Sequence, residues 1–276
     1  MKRDLTMTRA VVTGATGGIG AAVSRALLAR GAHVLLVGRN ESALIASQAA
    51  AADYAGRVDI QRCDITSAGD RADLARRARS WNANLLVNCA GVSGHGVLDE
   101  FNDDQIVAAI ATNLTAPILL CRDFVPLLAG RPGAGIINVG SVIGAIALPA
   151  YSVYAASKFG LRGFSEALRR ELSNSGIALQ YLAPRATRTT FNSAEVDGIN
   201  ATLGNAVDAP ERVAAAFIAL YESGRPQMTL GWPERLFVRI NALLPSLVDR
   251  SISARLAIML GQRSSSEAGS PKGIQP

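Results

Sequence analysis

Short apolar runs recur along this chain, separated by longer stretches in which apolar residues return every three or four positions. The runs near residues 10–13, 33–37, 57–62, 84–88, 134–139, 177–182 and 227–230 read as strands buried on both sides. Helical periodicity begins after Gly20 with Ala21, Val23, Ala26, Leu27 and Leu28, and Gly31 stops it. The same periodicity returns over 42–55, 67–80, 103–128, 154–175 and 209–223. Short strands alternating with helices predict a parallel sheet covered on both faces. Right-handed crossovers make it a doubly wound α/β fold of seven strands, with its ligand at the carboxyl strand ends. Gly14, Gly38, Asp64, Asn88, Ser141 and Pro184 all follow predicted strands. The alternation runs to about residue 231, so 1–231 reads as one domain, with no internal repeat beyond the alternation itself.

Composition narrows the picture. The chain has 276 residues, 49% of them apolar and 5% aromatic, enough for one large core of close-packed helices on a sheet. Cys63, Cys89 and Cys121 are widely spaced in apolar stretches, which excludes a disulfide framework or a zinc site and favours a reducing cytoplasm. His33 and His95 are too few for a metal site. Residues 1–9 are polar, so no secretory signal is expected. The uncharged span 133–157 has the length of a membrane helix, but Asn138, Ser141, Pro149 and Ser152 fit a strand, a loop and a helix start better. The formal charge is +6, and residues 225–263 carry six arginines against Glu234 and Asp249. No reading motif accompanies that charge, so nucleic-acid binding is not expected.

Two motifs carry chemistry. Gly14-Ala15-Thr16-Gly17-Gly18-Ile19-Gly20 joins the first strand to the first helix. There, backbone N–H groups at a helix start can meet a pyrophosphate, and glycine leaves the approach open. Further along, Ser141 precedes Tyr154-Ala155-Ala156-Ser157-Lys158 by 13 residues. On a helix, Tyr-x-x-x-Lys sets phenol and ammonium one turn apart on one face. A phenol titrates near ~10 in water, and a fixed ammonium lowers that value. A serine hydroxyl held against the pair completes a proton-transfer device for carbonyl–alcohol chemistry. The chain has only three lysines, so one inside this motif carries weight.

Together these motifs resemble the short-chain dehydrogenase/reductase family over residues 8–231. Further landmarks fall in the family's order. Asp64 and Ile65 look like the adenine-side turn, and Asn88-Cys89-Ala90-Gly91 resembles the family's turn after the fourth strand. Asn113 matches the asparagine that supports the active site through a bound water. Pro184 to Thr187 resembles the segment whose threonine holds the nicotinamide carboxamide. The resemblance implies a Rossmann-type fold and a dinucleotide held by Gly14, Thr16, Gly18, Ile19, Gly20, Asp64, Ile65, Asn88, Ala90, Gly91, Tyr154, Lys158, Pro184 and Thr187. It further implies catalysis by Asn113, Ser141, Tyr154 and Lys158 on a small-molecule carbonyl or alcohol, in a homodimer or homotetramer. Two residues depart from the pattern: Cys89 replaces an asparagine, and Arg185 replaces the usual glycine beside the nicotinamide. At the end of the second strand Gly38 stands where an acid would select NAD, and Arg39 offers a charge-assisted partner to a 2′-phosphate, so NADP(H) is the expected cofactor. A catalytically silent NADP(H)-binding sensor or interaction subunit is the alternative.

Residues 188–207 are expected to form a lid, with Phe191, Ile199 and Leu203 facing Val92, Ile143 and Leu148, unless these serve ordinary packing. Beyond it, residues 232–263 form an extension. Leu236, Ile240, Leu243 and Leu244 recur at helical spacing beside Arg235 and Arg239; Pro245 ends that helix and a less regular one runs to Leu260. Such a pair covers its own substrate pocket, docks on a partner subunit, or lies peripherally on a membrane surface. Residues 264–276, rich in Ser, Gly and Pro, read as a disordered tail.

Overall fold

The computed structural model describes residues 4–253 and 255–260; the tail at 264–276 and the last three residues of the extension lie outside the described residues. The strands are β1 (Arg9–Thr13), β2 (His33–Gly38), β3 (Val58–Arg62), β4 (Leu85–Asn88), β5 (Gly135–Val139), β6 (Ala178–Ala183) and β7 (Gln227–Thr229). All pair in parallel, in the order β3-β2-β1-β4-β5-β6-β7. The helices are α1 (Gly18–Ala29), α2 (Glu41–Ala49), α3 (Ala68–Ser80), α4 (Asp103–Ile110), α5 (Ala116–Leu128), α6 (Ser152–Glu171), α7 (Ala194–Thr202), α8 (Pro210–Ser223), α9 (Trp232–Leu243), α10 (Pro245–Ser253) and α11 (Leu256–Met259).

Alternation along β1 builds both cores. Ala10 and Val12 point to one face, where Leu27 and Leu28 of α1 meet Val213, Phe217 and Tyr221 of α8. Val11 points to the other, onto Leu74 of α3 and Leu120, Phe124 and Leu128 of α5. Each fully buried Leu or Phe contributes about 1.5–3 kcal/mol. Between β1 and β4 the strand order reverses, and the crevice at that switch point is where an open α/β sheet takes its ligand.

Three helices differ from their periodicity. The pattern over 42–55 ends as a helix at Ala49 and continues as a 3-10 turn at Ala52–Tyr54. Its last turns are alanines, too small to define a buried face. The pattern over 103–128 is one helical run, opened by an Asn102–Gln105 capping box and interrupted by a π-turn at Ala111–Thr115. This run is apolar and long enough to cross a bilayer by length and composition, but Leu120, Phe124 and Leu128 bury it against the sheet. Finally, α6 begins two residues before Tyr154 and ends at Glu171.

Candidate active site

The glycine turn stands at the switch point. Gly14 has φ +67°, and a Cβ there would lie 2.7 Å from the Ala90 Cα. A Cβ on Gly20 would lie 2.1 Å from the Gly14 carbonyl oxygen. Loop and helix therefore touch backbone to backbone, leaving a cradle at the start of α1 whose first N–H groups have no intrahelical acceptor. From this cradle a cavity of about 1390 Å³ runs along the strand ends. Gly14, Thr16, Gly18, Ile19, Gly20, Arg39, Asp64, Ile65, Ala90 and Gly91 line it on one side of the switch point, and Ser141, Tyr154, Lys158, Pro184 and Thr187 on the other. A cradle that side chains would fill, opening into one long groove, fits a dinucleotide.

At the adenine end, Thr66 donates both its N–H (2.9 Å) and its hydroxyl (2.7 Å) to Asp64 Oδ1. Burial works against the carboxylate, yet these bonds, with Arg39 and Arg62 nearby, hold its carboxyl below the usual range. Arg39 is exposed at the end of β2, and Arg62 is the β3 partner of Gly38. Two cations therefore flank the strand end that lacks an acid. From α3, the buried Arg71 donates to the Ile65 carbonyl at 2.8 Å and fixes the loop.

At the other end Ser141, Tyr154 and Lys158 converge. Ser141 follows β5, and its Oγ accepts from the Ile143 N–H at 3.1 Å. The same hydroxyl hydrogen-bonds the Tyr154 phenol. The Lys158 Nζ lies 5.6 Å from the centre of the Tyr154 ring and donates to the Val139 carbonyl at 3.4 Å. Both side chains are buried. Burial dominates their titration: it raises the Tyr154 phenol above its ordinary value, with the Ser141 bond opposing, and lowers Lys158 to about 8. The net direction is upward, opposite to the sequence expectation of a lowered phenol, because desolvation is its largest cause. At neutral pH the phenol holds its proton and can act as an acid, beside an ammonium that remains mostly charged.

Asn88 and Asn113 lie under the groove rather than in it. The Asn88 side chain, expected at the cofactor, instead donates to Asn138 Oδ1 at 2.9 Å and to Cys121 Sγ at 3.5 Å. Asn138 in turn donates to Ser165 of α6 at 2.8 Å, so the chain of amides ties β4 and β5 to the helix that carries Tyr154. Asn113 is fully buried in the π-turn. Its Oδ1 accepts from the Val92 N–H (2.8 Å) and its Nδ2 donates to the Val92 carbonyl (3.0 Å). The extra residue of the π-turn aims this amide at the loop after β4, and the amide fixes that loop where Gly91 approaches Lys158. The hydroxyl of Thr13 gathers the Cys89 and Ala90 N–H groups and donates to the Val87 carbonyl.

Arg185 is the largest departure from the resemblance, and its side chain is engaged by two carboxylates. It forms a bidentate pair with Asp208 (2.8 and 3.1 Å) and reaches Glu234 of α9 at 3.2 Å. Asp208, nearly fully buried, also receives Arg212 at 3.0 Å. The next residues stay regular: Thr187 donates to the Arg185 carbonyl at 2.9 Å and bridges to Asp208. Glu234 and Asp208 gave no sequence signal, because one arginine finding two carboxylates 23 and 49 residues away has no local pattern.

The substrate side is mostly apolar. Phe191, Ile199 and Leu203 from the lid line the cavity together with Val92, Ile143 and Leu148, and Phe237, Val248, Ile252 and Met259 join them from the extension. An aromatic row crosses it: His95 meets Tyr151 edge-on at 5.0 Å, Tyr151 meets Tyr154 at 6.2 Å, and Tyr154 meets Phe191 at 6.0 Å. The row is anchored where Ala150, at φ 61°, accepts the Gly96 N–H at 2.8 Å. Tyr151 was missed as a pocket residue, since nothing in its spacing marks it.

A phosphate cradle at the switch point joined to a Ser–Tyr–Lys cluster under an apolar lid defines a nucleotide-binding oxidoreductase of alcohol and carbonyl groups. The family described as short chain dehydrogenase matches residues 8–200, and this chain belongs to it. A 3-oxoacyl-[acyl-carrier-protein] reductase of Bos taurus is 34% identical over 217 residues, covering 77% of this chain and 90% of that protein. A D-beta-hydroxybutyrate dehydrogenase of Cupriavidus necator is 30% identical over 190 residues, 68% of this chain and 74% of that protein. Among solved structures, a short chain dehydrogenase from Burkholderia cenocepacia in complex with NADP superposes with a TM-score of 0.78 at 26% identity, covering 91% of this chain and 99% of that one.

Proposed function

We propose that the protein uses NADP(H) to interconvert a ketone or 3-oxoacyl-like carbonyl and its alcohol on a largely apolar substrate. The observation that carries this reading is the Ser141–Tyr154–Lys158 cluster at the boundary between the dinucleotide groove and the apolar part of the cavity. When bound, the nicotinamide supplies the reducing electron pair to the carbonyl carbon. Tyr154 gives its phenolic proton to the carbonyl oxygen, and Ser141 donates a second hydrogen bond to that oxygen and orients it. Lys158 keeps a positive charge beside the phenolate left behind, so the charge that develops at Tyr154 meets a fixed counter-charge. Asn113 acts as a positioning residue by holding Val92. The apolar lid excludes water while the proton moves.

The relatives' names support a substrate of the 3-oxoacyl or 3-hydroxy type, and the lining of Val92, Ile143, Phe191, Ile199 and Phe237 suits an apolar chain. NADP(H) is supported by Gly38, Arg39 and Arg62 at the end of β2 and β3. The test is NADPH consumption over a panel of ketones, quinones and 3-oxoacyl thioesters, run beside NADH. Arg39→Ala should weaken NADPH about ten- to a hundredfold by fluorescence titration and leave NADH nearly unchanged, since a charge-assisted contact contributes roughly 1.5–3 kcal/mol. Equal losses for both cofactors would remove the NADP assignment. No substrate-dependent consumption across the panel would remove the substrate assignment.

A further inference from the structure

The two long helices of the extension are fastened to the protein by the wrong face for a water-soluble surface. In α9 the inward contacts are largely polar: Glu234 meets Arg185, and the Asn241 amide donates to the Ala145 carbonyl at 3.0 Å. Phe237 faces the cavity from the same side. The opposite side holds Trp232, Leu236 and Leu243, which stack within about 40° of one another at 3.6 residues per turn. They are 76%, 47% and 80% exposed. Leu244 and Leu247 continue this surface at the turn into α10, and Leu256 lies beyond it. Of thirteen large apolar side chains exposed among the described residues, seven lie between 232 and 256, so the exposure is concentrated and not the usual scatter.

Charge shares this surface. Arg235, Arg239 and Arg250 are exposed, Arg235 also donating to the Thr229 carbonyl at 2.6 Å, and the only other outward ionised group on these helices is Asp249, because Glu234 is turned to Arg185. Among the described residues none of these three arginines pairs with a carboxylate. An apolar stripe with arginines at its edge fits a surface that is apolar below and anionic at its rim. A second copy of this chain fits badly, since a two-fold contact sets each arginine cluster against its own image.

We propose that α9 and α10 lie flat on an anionic lipid bilayer, with Trp232, Leu236 and Leu243 in the acyl boundary and the arginines among the headgroups. At 12 and 9 residues neither helix approaches the ~20 needed to span a bilayer, so the attachment is peripheral. The inner sides of the same helices line the cavity through Phe237, Val248 and Ile252. Resting on the apolar-substrate reading above, this arrangement puts the pocket mouth where an apolar carbonyl compound is dissolved. Lipid binding itself is independent of that reading and is measured without substrate.

The experiment is co-sedimentation of the full chain with vesicles of phosphatidylcholine alone or with about one-third phosphatidylglycerol, the anionic surface that attracts basic segments. Binding to the anionic vesicles should be at least tenfold tighter, and about 1 M salt, which shortens the Debye length to about 3 Å, should release the protein. Trp232 emission should shift to the blue on binding. Leu236→Glu/Leu243→Glu should lose at least tenfold in binding and Arg239→Gln about fivefold, equivalent to ~1 kcal/mol per arginine, with cofactor affinity in solution unchanged in both. The proposal is overturned if the full chain stays in the supernatant with both vesicle types at low salt, or if the double variant binds as well as the parent. It is equally overturned if light scattering shows a dimer that Leu236→Glu/Leu243→Glu converts to a monomer, for then a second copy covers the face.

Discussion

Helices α6 and α9 are alike in sequence and opposite in use. Both are amphipathic, both carry arginines along their length, and both touch the same cavity. In α6 the inward face is occupied by Val153, Tyr154, Ser157, Lys158, Leu161 and Ser165, all buried. It is held against the sheet by the amide chain from Asn88 through Asn138 to Ser165. In α9 no residue is fully buried, and its fixed contacts are an ion pair, one amide bond and the Arg235 hydrogen bond to the Thr229 carbonyl. The difference teaches that periodicity announces a helix with two faces and is silent about which face the protein takes. Where the sheet supplies a partner, as for α6, the apolar face goes in. After β7 the sheet has ended, and polar anchors decide the orientation of α9 instead.

The sharpest way to break this comparison is to change the groups that α6 buries for chemistry. Tyr154→Phe should lower kcat about 10²- to 10⁴-fold, the range for a positioned general acid, with little change in cofactor affinity. A variant as active as the parent on every carbonyl it reduces would separate the cluster from the reaction. The next effect is on stability, at the joint between the regions. Arg185→Met leaves Asp208 buried with only the exposed Arg212 and frees Glu234, and should cost about 3 kcal/mol by denaturant unfolding, the low end for a broken buried pair. A cost below about 0.5 kcal/mol, the range of ordinary surface changes, would mean that α9 is held by something other than this anchor.

A smaller and more diagnostic effect is pH dependence. Burial sets Lys158 near 8, below its ordinary value, so its proton leaves as pH rises through that region and the counter-charge beside Tyr154 goes with it. In the reductive direction kcat/KM, which reports groups of the free enzyme, should therefore fall above about pH 8, with tenfold per pH unit as the limiting slope. In Lys158→Arg that inflection should vanish, because a guanidinium does not titrate there. The smallest effect belongs to the outer face of α9: Leu243→Glu should change unfolding free energy by no more than about 0.5 kcal/mol. A loss of several kcal/mol would place Leu243 in a core that its 80% exposure denies.

The legible parts of the sequence were those with local or repetitive signals. All seven strands lie within about a residue of their expected places. The central ones were legible because a strand covered on both faces is largely apolar, whereas the edge strands β3 and β7 are partly exposed and polar. The glycine turn and Tyr154-x-x-x-Lys158 were legible because backbone approach and helical spacing are local constraints. What stayed hidden is set by distance in three dimensions. The amide staple of Asn113 depends on a π-turn, and one added backbone residue leaves no mark in Ala111-Thr112-Asn113-Leu114-Thr115. Asn88 entered the cofactor set through the resemblance of Asn88-Cys89-Ala90-Gly91 to a family turn, but its side chain is bonded to Asn138 of β5. The direction of the Tyr154 titration also escaped, since desolvation depends on the lid and α6 together rather than on the four-residue spacing to Lys158.

The Arg185 joint bears on how portable this architecture is. A designer who wished to graft residues 232–260 onto a relative with glycine at the equivalent of 185 would transplant Glu234 without its cation, and α9 would arrive with a carboxylate facing a wall that has no use for it. Moving Arg185 and Asp208 together with the helices transfers a self-contained clasp, one guanidinium closing on an acid from a loop and another from the first turn of α9. The smallest exchangeable unit is therefore discontinuous: two loop positions and a helix that must travel as a set.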